Sequence, residues 1–139
     1  MASSVQAGYF PVYPVQDLLP DPEIRTFLTN FYRISDNPAS DELWVSHFTD
    51  DAHIRELRGR MWKVVAERRH TVEKVFPARF REDEQGECEC MLFGEVRIKT
   101  RDDKEMVVPW AGHATLTKVV VDGLKEEWKF AQYRVWLQR

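Results

Sequence analysis

The chain has 139 residues, 43% of them hydrophobic and 12% aromatic, which is enough for one domain with a real core and excludes wholesale disorder. Twenty basic against 23 acidic side chains leave a net charge of −3 with the signs interspersed, so nothing announces a nucleic-acid partner. No apolar run approaches the roughly 20 residues of a membrane span. The segment Met1 to Gly8 lacks the positive region and apolar core of a signal peptide, and the expectation is a cytoplasmic protein with no membrane partner.

Residues 1–20 carry three prolines and no helical period, and read as an extended arm that packs through Tyr9, Phe10 and Tyr13. Residues 21–139 read as a single domain. Asp21-Pro22 supplies an N-cap acceptor with proline at the first helical position. Ile24, Phe27, Leu28 and Phe31 then form one apolar stripe, which ends near Ser35-Asp36-Asn37-Pro38. A short second helix starts near Ser40 and buries Leu43, Trp44, His47 and Phe48. Asp50 and Asp51 are capping candidates for a third helix, expected to run to about Glu67 with Ile54, Leu57, Met61, Val64 and Val65 on one stripe.

After Arg69 the period changes to two. Strands are predicted at His70 to Phe76, Cys88 to Thr100, Val107 to Val121 and Leu124 to Leu137, with a polar loop over Arg81 to Glu87. Helices first and strands after define an α+β class, with three N-terminal helices packed on an antiparallel sheet. Cys88 and Cys90 fall side by side on one strand face, poor geometry for a mutual disulfide, and read as free half-buried thiols.

Asp122-Gly123 predicts a two-residue hairpin, because a type I′ turn needs positive φ at both positions. Val121 then pairs with Leu124. One face of the last two strands collects Val108, Trp110, Gly112, Ala114, Leu116, Ala131, Tyr133, Val135 and Leu137. The other collects His113, Thr115, Thr117, Trp128, Phe130, Gln132, Arg134 and Trp136. The first set should receive the helices. For Cys90, Leu92, Gly94, Val96 and Ile98 to join it, the loop near Asp102-Asp103 must be odd-numbered or bulged. Small Gly94, Gly112, Ala114 and Ala131 on that face leave room for a close helix or for a cavity, against which the third helix presents Arg58 beside Met61 and Trp62. A guanidinium there needs a carboxylate partner or a polar cavity.

The segments Phe31-Tyr32-Arg33-Ile34-Ser35-Asp36, Phe48-Thr49-Asp50-Asp51-Ala52, Leu57-Arg58 with Met61-Trp62, and Arg69-His70 occur in an order that resembles the SnoaL-like branch of the NTF2-like superfamily, specifically its small fungal members. Met91-Leu92-Phe93-Gly94-Glu95-Val96, Trp110-Ala111 and Tyr133-Arg134-Val135-Trp136-Leu137 continue it, over roughly residues 22 to 137. The resemblance implies a cone in which helices close a curved sheet over one apolar cavity. It also implies a place among cofactor-free polyketide cyclases, dehydratases and isomerases of secondary metabolism, although other relatives only bind ligands or dimerise. Two departures stand out. About ten residues that relatives place between the Phe-Thr-x-Asp-Ala segment and the third helix are missing, and Arg134 replaces a usual Gln.

There is no HExxH, CxxC, Walker or GxSxG motif, so no metal or cofactor is expected and catalysis would rest on acid–base and electrostatic groups in a dry pocket. His70 is the leading acid/base candidate by residue type, set against a hydrogen-bonded structural histidine. Tyr133 is a candidate proton donor to a carbonyl or enolate, and Arg58 a candidate oxyanion stabiliser. Trp62, Gly94, Trp110, Gly112 and Ala131 are candidates to line a site for an apolar small molecule. Trp128, Phe130 and Trp136 on the outward face, with His113, Gln132 and Arg134, predict a homodimer through the sheet.

Overall fold

The computed structural model describes residues 8–49, 51–80 and 87–138, without the side chains of 51–53. The polar loop expected before Glu87 and the capping side chains of Asp50 and Asp51 lie outside these residues. Three helices, α1 (Glu23–Ser35), α2 (Asp41–Val45) and α3 (Asp51–Met61), precede four strands, β1 (Val65–Ala78), β2 (Glu87–Thr100), β3 (Glu105–Val121) and β4 (Lys125–Leu137). The strands form one antiparallel sheet in chain order, and the helices lie on its inner face.

The α1 stripe is wider than its spacing predicts, because Tyr32 and Ser35 are buried beside Ile24, Leu28 and Phe31. Asp21 accepts the Glu23 N–H at 3.0 Å and so satisfies one of the orphan donors of the first turn. Ser35 Oγ donates to the Phe31 carbonyl at 2.8 Å and accepts Trp44 Nε1–H at 2.9 Å, which fixes α2 against α1. In α2, Leu43 is exposed rather than buried, and Val45 takes the inner position beside Trp44 and Phe48.

α3 ends at Met61, six residues before the expected stop, and β1 begins at Val65. The β-branched Val64-Val65 pair, read as a continuation of the helical stripe, splits there: Val64 is exposed and Val65 is buried in the strand. The first strand is consequently twice as long as its sequence pattern suggests, and it brings Arg68 onto the inner face opposite Ile98.

The described part of the arm is bonded to the sheet. The Val12 N–H donates to Glu73 O at 2.8 Å, while Val72 and Val75 donate to Gly8 O and Val12 O at 2.6 and 3.0 Å. These bonds cover the free edge of β1 at its bulge, where an open edge would template pairing with another chain.

The loop from β2 to β3 is odd-numbered, as the face argument requires. Thr100 N–H bonds Lys104 O at 2.8 Å, and Leu92 pairs with Gly112 and Cys90 with Ala114. The last hairpin differs from its expected form. Val121 pairs with Lys125, so the loop contains Leu124 as well as Asp122 (φ 56°) and Gly123 (φ 77°). A bulge then follows between the Thr115 and Leu116 pairings and leaves Ala131 as the extra residue. The extra loop residue reverses the faces predicted for Trp128 and Phe130, and the bulge returns Tyr133 to its predicted face: both rings are core residues, at 7% and 1% exposure, and Ala131 is exposed. Leaving both rings in water would have forfeited about 3–6 kcal/mol of burial, more than one bulge costs. Of the three aromatics from which a dimer was expected, only Trp136 remains on the outward side.

Candidate active site

A cavity of about 470 Å³ opens between α1, α3 and the inner face of the sheet. Its walls are mainly apolar, from Phe31, Leu57, Met61, Val96, Ile98, Val135 and Leu137. Arg68, His70 and Tyr133 bring functional groups to it.

His70 and Arg68 sit two residues apart on β1, so strand alternation puts both on the inner face. His70 Nδ1 lies 2.6 Å from Asp36 Oδ1, and its backbone N–H donates to Asp36 Oδ2 at 2.8 Å. The same Oδ2 accepts the Tyr9 hydroxyl at 2.5 Å. Asp36 caps the C-terminus of α1, where the helix dipole disfavours a carboxylate. Three donors compensate it there. With Nδ1–H donated to Asp36, the free lone pair of the neutral ring is on Nε2.

Tyr133 sits on β4 just beyond the bulge. Its hydroxyl is 2.9 Å from that of Tyr32 on α1, whose ring packs at 5.3 Å from both His70 and Trp110. Burial raises both tyrosine pKa values well above the ordinary phenol range, so both stay protonated as donors. When Tyr32 donates to Tyr133 Oη, the Tyr133 proton is free for a ligand.

Arg58 occupies a different position from the expected one. It is 2% exposed but does not line the cavity. Its Nε donates to Asp41 at 2.8 Å, and its two terminal nitrogens donate to Ser35 O and Asn37 O at 3.2 and 2.5 Å. It therefore supplies the orphan carbonyls at the end of α1 and ties that end to α2 and α3. Trp62 is buried beside the guanidinium groups of Arg58 and Arg68, at 5.6 and 4.7 Å, and is not part of the cavity wall. Gly94 and Gly112 lie within the packed sheet rather than on the cavity wall, and Trp110 fills the space above them. A Cβ on Gly94 would come 2.0 Å from the Thr71 carbonyl oxygen, so this glycine serves the close approach of β1. Ala131 is the exposed bulge residue.

The structure thus brings His70 and Tyr133 to one cavity and adds Asp36, Tyr32 and Arg68, which residue type and spacing had not singled out. Asp36 carried one usable signal: an acidic residue at a helix C-terminus needs a compensating partner. Among the described residues no three His, Cys, Asp or Glu side chains converge to hold a metal ion, and no helix is long and apolar enough to cross a membrane. Cys88 and Cys90 are buried free thiols, and burial pushes the Cys88 thiol up to about 11.

No family model and no curated protein matches the chain. Two solved structures from Novosphingobium aromaticivorans are similar in fold. One is provisionally assigned as a scytalone dehydratase, with a TM-score of 0.67 at 11% identity over 84% of this chain and 82% of the other. The second, provisionally assigned as an aromatic ring hydroxylase, has a TM-score of 0.67 at 12% identity over 84% and 87%. Three helices packed on a curved, open four-stranded antiparallel sheet match the α+β fold of an NTF2-like cone.

Proposed function

We propose that the protein is an acid–base enzyme of the SnoaL-like type that isomerises or dehydrates an apolar carbonyl compound without help from a cofactor. The observation that carries this reading is the His70–Asp36 pair at the wall of an apolar cavity that also holds Tyr133. In the proposed reaction His70 Nε2 removes the proton α to the carbonyl. Tyr133 O–H hydrogen-bonds the carbonyl oxygen as it gains enolate charge, in a site where such a bond counts for more than in water. The imidazolium, held by Asp36, then gives the proton to another carbon, or to a β-hydroxyl that leaves as water. Polyketide or terpenoid-like intermediates, the substrates that the family resemblance implies, have this chemistry.

The competing reading is a ligand-binding protein whose His70 only anchors α1 to β1, favoured by the burial of Asp36 and its three hydrogen bonds. Deuterium uptake from D2O into 1-tetralone and conversion of 3-hydroxy-1-tetralone to 1-naphthol and water separate the two. Enzymatic exchange should fall at least about 100-fold in His70→Gln while binding persists. Tight binding by the native chain with exchange at the solvent rate would leave only the ligand-binding reading.

A further inference from the structure

Arg68 stands out once the other buried charges have been paired. It is 9% exposed and lines the apolar cavity. Of the five N–H donors that a guanidinium carries, one has an acceptor among the described residues, from Nη2 to Met61 O at 3.0 Å. The face of the group rests on Trp62, with 4.7 Å from Cζ to the ring centroid.

Neither nearby carboxylate is bonded to it. Asp36 is taken by His70 and Tyr9, and Asp41 by Arg58. Among the described residues Arg68 makes no ion pair. The Nε1–H of Trp62, the ring on which Arg68 rests behind the cavity wall, is also buried without an acceptor among the described residues. A buried cation without a counter-charge is costly, and native interiors supply the missing partner. Burial lowers the Arg68 pKa; the Asp36 carboxylate, near but not bonded to it, opposes that shift, and the second cation, Arg58, adds to it.

We propose that Arg68 is the receptor for a carboxylate on the ligand, so that the cavity takes an aromatic or polycyclic acid with its carboxylate on the guanidinium and its rings against the apolar wall. The planar fork suits a carboxylate better than a single oxygen, because two N–H groups can point at two oxygens. Arg68 and His70 leave the same strand face two residues apart, which sets the anchored carboxylate near one end of the ligand and the reactive carbon toward His70. This proposal rests on the cavity being the ligand site of the function proposed above, but it does not need that site to be catalytic.

The test is equilibrium binding of naphthalene-2-carboxylate against naphthalene-2-carboxamide at pH 7, extended to benzoate and anthracene-2-carboxylate in case size governs entry. The native chain should prefer the carboxylate at least about tenfold. Arg68→Met and Arg68→Gln should erase the preference, and Arg68→Lys should keep part of it. Two variants guard against a single misfolded one, and melting curves identify which are folded. Equal affinity for acid and amide in the native chain, a preference that survives in a folded Arg68→Met or Arg68→Gln protein, or no carboxylate binding at millimolar concentration would overturn the proposal. A charge preference without deuterium exchange would instead reject the catalytic reading and keep the carboxylate receptor.

Discussion

Asp36 and His70 are joined twice, side chain to side chain at 2.6 Å and backbone N–H to carboxylate at 2.8 Å, across 34 residues of sequence. The two hydrogen bonds fix the ring orientation and the tautomer together, because a carboxylate can only accept. Tyr9 of the arm adds a third donor from the other side.

Asp36→Asn should therefore be informative. The amide nitrogen can donate to Nδ1, which would move the ring proton to Nε2 and remove the base. Exchange or turnover should drop about 10²–10⁴-fold, with ligand affinity nearly unchanged. Nitrogen-15 shifts of His70 should report the exchanged tautomer. Unaltered exchange in a folded Asp36→Asn protein would mean that the pair only supports the fold.

Arg58→Met should destabilise the fold and leave ligand selectivity alone. The side chain serves Ser35 O, Asn37 O and Asp41. Asp41 is largely exposed and can turn to water, but the Ser35 carbonyl would lose a buried donor. A loss of about 2–4 kcal/mol is expected in urea unfolding. An unchanged melting point combined with lost ligand binding would return Arg58 to the site.

Gly94→Ala places a methyl group where Thr71 O already lies. Because the obstruction is backbone, β1 must move away from β2, and a cost of at least about 2 kcal/mol is expected from the denaturation midpoint. Gly59, with nothing near its missing Cβ, is the helical control, where alanine should stabilise slightly.

All four tyrosines have raised pKa values, and burial is the largest cause in each: Tyr9, Tyr13 (to about 12), Tyr32 and Tyr133. Unfolded tyrosine ionises near pH 10. Above that pH the unfolded chain gives up protons that the folded chain keeps, so stability should be complete below about pH 9 and fall as pH rises beyond 10. Absorbance at 295 nm should show no folded-state ionisation near pH 10, and urea midpoints should drop between pH 9 and 11. A phenolate midpoint at 10 in the folded protein would contradict the burial of these hydroxyls.

Patterning and short-range chemistry were enough for the fold class. The α1 stripe, the Asp21-Pro22 start, the change to period two and the odd β2–β3 loop each follow from side-chain periodicity or from the cost of exposing an apolar face. His70 and Tyr133 could be proposed by residue type alone. What sequence spacing could not supply was any phase that accumulates past an irregularity. One additional loop residue at Leu124 decided that Trp128 and Phe130 are core, and one bulge at Ala131 decided that Tyr133 still faces inward. A strand that begins five residues early decided that Arg68 faces the cavity. The partners of charged groups were equally out of reach, since Asp36 meets His70 and Arg58 meets Ser35, Asn37 and Asp41 only after α1, α2, α3 and β1 have packed. Buried charges are assigned by which counter-group is nearest in space, and that is a property of the tertiary structure.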